Sequence, residues 1–216
     1  MIRVLIADDE PLIRAGVRTV LESATDIEVV AEADSGTAVV EQSRFHKPDV
    51  AVIDIKMPGL DGLGALEALR STAPATKVLM LTSFGAEPNV MRALENGASG
   101  FLLKNCTPDE LIRAVRAAHD GDAYLSPAVT RMLLGWVNPA ATHRRTDAAD
   151  RLAILSAREH DVLRLIAQGM SNADIGRSLH MSEPTIKTYV SRILAKLGCA
   201  NRVQVALLAR EAGLTS

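Results

Sequence analysis

Aromatic residues are scarce: three Phe, two Tyr and one Trp make up 3% of 216 residues. So few stacking faces argue against a binder of carbohydrates or aromatic ligands. Cysteine is scarcer still, and Cys106 and Cys199 form no metal-type cluster. They read as reduced thiols rather than a bridge. No apolar run approaches the ~20 residues of a membrane-spanning helix, which argues against a membrane role. The opening Met1-Ile2-Arg3-Val4-Leu5-Ile6-Ala7-Asp8-Asp9 is too short in its apolar part, and too acidic after it, for a signal peptide. A soluble, cytoplasmic chain is expected. Its 48% hydrophobic content can build a sizeable core without disulfides.

What is present is unevenly spread. Residues 1–121 carry 12 basic and 18 acidic side chains, a net −6, while residues 122–216 carry 12 and 8, a net +4. The total of −2 hides an acidic module joined to a basic one.

In the first module, short apolar runs alternate with helical patterns. Strands are expected over Arg3–Ala7, Glu28–Ala33, Asp49–Ile55, Lys77–Leu81 and Gly100–Leu103. Helices are expected over Pro11–Ser23, Gly36–Phe45, Gly62–Ser71, Pro88–Asn96 and Pro108–Asp120, the first burying Leu12, Ala15, Val17, Val20 and Leu21. Five βα units predict a doubly wound, five-stranded parallel sheet covered on both faces.

The strand ends then carry the chemistry. Strand one ends in Asp8-Asp9, strand three in Asp54, strand four in Thr82 and strand five in Lys104. In a parallel sheet these share one edge, where ligands bind. Three carboxylates in one crevice need a balancing cation, and a hard ion with oxygen ligands, Mg²⁺, suits them. Carboxylate, metal, hydroxyl and ammonium together suit phosphoryl transfer onto Asp54. Any one of these residues could simply terminate its strand; the full set at one edge points to function.

These motifs, with Met57-Pro58-Gly59 and Asp61-Gly62, make residues 1–121 resemble the flavodoxin-like receiver domain of two-component response regulators. The resemblance implies that Asp9 binds Mg²⁺ directly, Asp8 through water, and Lys56 through its backbone carbonyl. It implies that Asp54 supplies a metal oxygen and accepts the phosphoryl group, that Lys104 pairs with it, and that Thr82 and Phe101 form the switch. Residue 105 is Asn where many receivers have Pro, so a trans bond after Lys104 is expected.

Residues 122–150 read as a linker with a short helix over 126–137 that includes Trp136; 138–150 reads as mobile. Residues 151–216 are purely helical in pattern. Ser156-Ala157-Arg158-Glu159 is a capping box opening a helix to Ala167. Ser171 caps Asn172–Leu179, Ser182 caps a helix running to about Lys196, and Asn201 opens a fourth. The brief His180-Met181 turn between short helices is a helix-turn-helix signal. Lys187, Thr188, Ser191, Arg192 and Lys196 share the third helix with the apolar Ile186, Val190, Ile193 and Leu197. They offer donors for phosphates and base edges; a solvated basic face is the plainer alternative.

The motifs from Leu155 to Gly198 resemble the LuxR-type helix-turn-helix domain, and both halves together resemble the NarL/FixJ class of response regulators. By that resemblance Lys187, Thr188 and Ser191 face the major groove of double-stranded DNA and Arg192 meets its backbone. Val203, Val205, Ala206 and Leu208 would form the dimer contact. The function implied is transcription control, with a sensor histidine kinase as phosphodonor, a homodimer on activation and RNA polymerase as a further candidate partner. One rival is a haloacid dehalogenase-type phosphatase, but that chemistry needs an acid two residues past the nucleophile, where this chain has Lys56. The other is a phosphorylation-independent DNA-binding regulator with a vestigial pocket.

Overall fold

The computed structural model describes residues 1–83, 87–126, 129–130, 148–149 and 151–214. They fall into two compact units, Met1–Leu133 and Leu134–Ser216. Most of the expected 126–137 helix, Trp136 included, and most of the expected 138–150 linker lie outside the described residues.

The first unit alternates strand and helix: β1 (Ile2–Ala7), α1 (Pro11–Glu22), β2 (Ile27–Ala33), α2 (Gly36–His46), β3 (Val50–Asp54), α3 (Gly62–Thr72), β4 (Lys77–Thr82), α4 (Glu87–Glu95), β5 (Gly100–Leu103) and α5 (Pro108–His119). All five strands pair in parallel, and a sixth, β6 (Tyr124–Leu125), joins β5. Two residues are too few to show a period, so β6 left no signal in the sequence.

The strand order is β2-β1-β3-β4-β5-β6. The order reverses between β1 and β3, and such a switch point opens a crevice at the carboxyl ends of the strands. β3 is buried at every position. The edge strand β2 instead alternates buried and exposed, as expected where one flank is open.

One core cluster joins Val4, Ile6, Val50, Val52, Leu79 and Leu102 of the sheet to Val17, Leu21, Leu111 and Val115 of α1 and α5. Alternate strand residues Leu5, Ile53, Met80 and Phe101 are also fully buried, and the pleat turns them to the other face. The stripe expected on α1 needs correcting. Leu12 is 83% exposed and Ala15 is exposed, whereas Ile13, Val17, Val20 and Leu21 pack inward. The inward positions run i, i+4, i+7, i+8 from Ile13, so the expected Val17, Val20 and Leu21 hold and Ile13 takes the place of Leu12 and Ala15.

The second unit holds α6 (Ala157–Ala167), α7 (Asn172–Leu179), α8 (Glu183–Leu197) and α9 (Arg202–Glu211). All four expected caps form. Ser156, Ser171, Ser182 and Asn201 accept from the backbone N–H groups of Glu159, Asp174, Thr185 and Gln204. The core is Leu163, Ile166, Ile175, Ile186, Val190, Ile193 and neighbours. Gly176 lets the turn before α8 fold back: a Cβ there would lie 2.7 Å from the Met181 carbonyl oxygen.

Candidate functional site

Register puts the polar strand ends together. Ala7 pairs with Ile53, Asp54 with Leu81 and Thr82 with Leu103, so Asp8, Asp54, Thr82 and Lys104 meet at one edge. Lys104 is drawn in further by its backbone N–H, which donates to the Thr82 carbonyl at 2.7 Å. Gly62 closes the floor. Its N–H donates to the Ile55 carbonyl at 2.9 Å, and a Cβ there would lie 2.0 Å from the Asp54 carbonyl oxygen. Asp61 holds that turn by capping α3 through the Gly64 N–H at 2.8 Å.

The Lys104 ammonium lies 2.8 Å from Asp8, 3.0 Å from Asp54 and 3.2 Å from Glu10. Burial raises the pKa of the Asp54 carboxyl, while Lys104 works to lower it and Asp8 adds to the rise. Burial disfavours the Lys104 ammonium, yet the close Asp8, Asp54 and Glu10 carboxylates outweigh it and raise its pKa. The lysine is therefore fixed as a cation. Asp8, Asp9 and Asp54 each place a carboxylate oxygen within 4.8 Å of the others. This all-oxygen set fits a hard divalent cation such as Mg²⁺. Lys56 follows β3 with an exposed side chain. Thr82 is buried and its hydroxyl donates to the Ser83 carbonyl at 3.2 Å rather than to Asp54. Phe101 is wholly buried. The described peptide bonds are trans, Lys104–Asn105 among them.

On α8, Ile186, Val190, Ile193 and Leu197 face the core, while Thr188, Ser191 and Arg192 are exposed and Lys187 is half-exposed. The Thr188 and Ser191 hydroxyls rest on the carbonyls of Pro184 and Lys187, at 3.0 and 2.9 Å. Lys187 pairs with Glu183 at 3.2 Å. This is a polar outer stripe on the second helix of a helix-turn-helix, the element that enters a major groove.

Residues 4–116 match the model of the response regulator receiver domain, and residues 153–209 match that of the luxR family of bacterial regulatory proteins. The chain is a response regulator of the NarL/FixJ class. It is 36% identical to the nitrate/nitrite response regulator protein NarL of Escherichia coli strain K12, over 94% of this chain and 93% of that one. It resembles the crystal structure of the response regulator ChrA of a heme-sensing two-component system, with a TM-score of 0.54, 38% identity and coverage of 99% and 98%. It also resembles RcsB in a structure of two RcsB dimers bound to two parallel DNAs, with a TM-score of 0.59, 27% identity and coverage of 100% and 99%. Its relatives are transcriptional regulators, not enzymes, so the phosphatase alternative falls away. No helix among the described residues is long and apolar enough to cross a membrane.

Two expectations for the regulator's second unit change. The Lys196 ammonium is 2.7 Å from the buried Glu159 carboxylate, tying α8 to α6 within the unit. On α9, Val203, Val205 and Leu208 are buried by the unit's own fold, and of the four apolar residues expected to meet a partner only Ala206 is half-exposed. A helix packed on a small core turns one apolar face inward, here Val203, Val205 and Leu208. Sequence reasoning passed over Arg202, which is buried and donates to the Met170 carbonyl at 2.6 Å and to the Asn172 side chain at 3.4 Å. It also passed over Glu10, although its place directly after the aspartate pair was a usable signal.

Proposed function

We propose that this regulator is a transcription factor switched by phosphorylation of Asp54. The observation that carries the reading is the Lys104 ammonium bridging Asp8 and Asp54 in a crevice that a third acid, Asp9, also enters. A sensor histidine kinase is the donor. An Asp54 carboxylate oxygen attacks the phosphorus, an O–P bond forms, and the P–N bond breaks. The electron pair leaves with the imidazole nitrogen, which takes a proton from water. Lys104 neutralises charge gathering on the phosphoryl oxygens. Asp8, Asp9, Asp54 and the Lys56 carbonyl would hold Mg²⁺, which when bound supplies further neutralisation. Thr82 then turns its hydroxyl from Ser83 toward the phosphoryl group, and Phe101 responds to the space it leaves.

The output is DNA binding by a homodimer in the cytoplasm, with RNA polymerase as a downstream partner. Lys187, Thr188 and Ser191 read base edges and Arg192 grips phosphate. Lys196 serves first as a strut for α6 and only second as a phosphate contact. On α9 the dimer contact falls to Ala206 with its half-exposed neighbours Gln204 and Leu207.

Two measurements test this. Incubation with acetyl phosphate and Mg²⁺ should add one labile phosphoryl group by intact mass, absent in Asp54→Ala. Equal modification of both chains contradicts the assignment. With a DNA site found by in vitro selection, Thr188→Ala should relax base preference. Arg192→Ala should weaken binding evenly across sequences and reduce its salt dependence by about one phosphate contact.

A further inference from the structure

Glu10 is a charged group on Lys104 without a task in the scheme above. It stands at the N-cap of α1, in extended conformation, and its side chain makes no capping hydrogen bond. A carboxylate there usually turns inward to the first helical N–H groups. Pro11 removes one of those donors. The Glu10 carboxylate instead reaches across 94 residues of sequence to Lys104.

That contact puts a third carboxylate on the lysine. An ammonium has three N–H donors, and three carboxylates surround this one, at 2.8, 3.0 and 3.2 Å. The Glu10 contact is the one with hydrogen-bond geometry, whereas the Asp8 oxygen facing the lysine accepts none, so a phosphoryl group on Asp54 gains this crowded ammonium by displacing an acceptor. Asp8 is a poor candidate, being buried and accepting the Glu10 backbone N–H at 2.9 Å. Asp54 is the attachment point itself. Glu10, whose side chain is 63% exposed, can be replaced by water at least cost. It also sets a further negative charge at the entrance, where an anionic phosphodonor must pass.

We propose that Glu10 is a positioning residue that acts through Lys104. It is a rim carboxylate that competes with the incoming phosphoryl group for the ammonium, and so sets how fast Asp54 is phosphorylated. This rests on the reading of Asp54 as phosphoacceptor.

The test uses the full chain with Mg²⁺ and compares Glu10→Gln with wild type. The control is Glu41→Gln, which removes an equal charge from the exposed side of α2. Phosphorylation is followed by intact mass with acetyl phosphate, a dianion, and with phosphoramidate, which carries less negative charge. Glu10→Gln should speed the acetyl phosphate reaction about threefold, the scale of one exposed charge contact. The gain should be smaller with phosphoramidate and shrink as salt rises. Glu41→Gln should match wild type. A merely structural role for Glu10 would shift the thermal midpoint and move both donors alike. Equal rates for wild type and Glu10→Gln, or the same gain in Glu41→Gln, overturn the proposal while leaving Asp54 as phosphoacceptor. If wild type is not phosphorylated by either donor, the phosphoacceptor reading and this proposal fall together.

Discussion

Paired charges sort into two kinds in this protein. At the sheet edge, Lys104 faces carboxylates that the proposed phosphoryl transfer also uses. In the helical unit, the Glu159–Lys196 pair holds α6 and α8 together. The Lys196 ammonium, then the Ser156 backbone N–H, hold the Glu159 carboxyl at a pKa of about 2, against an ordinary 4.5. A carboxyl whose folded pKa is depressed stabilises the fold fully above its unfolded pKa and loses that contribution as pH falls through the folded one. The helical unit should therefore lose stability between about pH 4.5 and about 2. Glu159→Gln should be less stable at neutral pH and flatter across that window, as read by urea midpoints; equal slopes would remove the pair's assigned role. Arg202 makes a second prediction. Arg202→Leu keeps apolar bulk but strips a donor from the Met170 carbonyl and the Asn172 side chain, and should cost about 1–3 kcal/mol in urea unfolding. Asp8, Asp54, Thr82 and Lys104 were legible in the sequence because each directly follows or ends an apolar run that fixes its position on the sheet. Glu159–Lys196 and Arg202–Asn172 span 37 and 30 residues and share no local period, so nothing short-range announced them.

At the scale of elements, turns hold the pocket as firmly as strands. The loop between β3 and α3 packs Gly62 directly on the Asp54 backbone. Gly62→Ala would press a Cβ against that carbonyl oxygen and the Ile55 Cα. Overpacking of this kind costs about 1–3 kcal/mol, and here it should also slow phosphorylation by moving Asp54. Gly16→Ala is the matched comparison. A Cβ there meets nothing within 4 Å on α1, and trading glycine for alanine inside a helix should add about 0.5–1 kcal/mol. Thermal midpoints moving in opposite directions for the two variants would bear this out; a Gly62→Ala chain as stable and reactive as wild type would contradict it. Among the described residues, strand and helix positions other than β6 were readable to within a residue or two, because buried parallel strands and amphipathic helices leave different periods. On α1 the inward Val17, Val20 and Leu21 were legible, but Leu12 was expected in the place of Ile13, since both fit a helical stripe until packing chooses. The burial of Val203, Val205 and Leu208 was not readable, because an apolar helix face looks the same whether its own core or a partner covers it.

For the whole molecule, charge divides the sequence into an acidic half, the proposed phosphoacceptor, and a basic helical half. The receiver match, residues 4–116, lies in the acidic half and the luxR match, residues 153–209, in the basic one. What links them functionally is the proposed switch, one added phosphoryl group biasing a two-state element. Sedimentation of wild type and Asp54→Ala with Mg²⁺, before and after acetyl phosphate, tests that link most directly. The account predicts that wild type alone shifts from monomer to dimer. A dimer that forms equally in both proteins, or in neither, would contradict it.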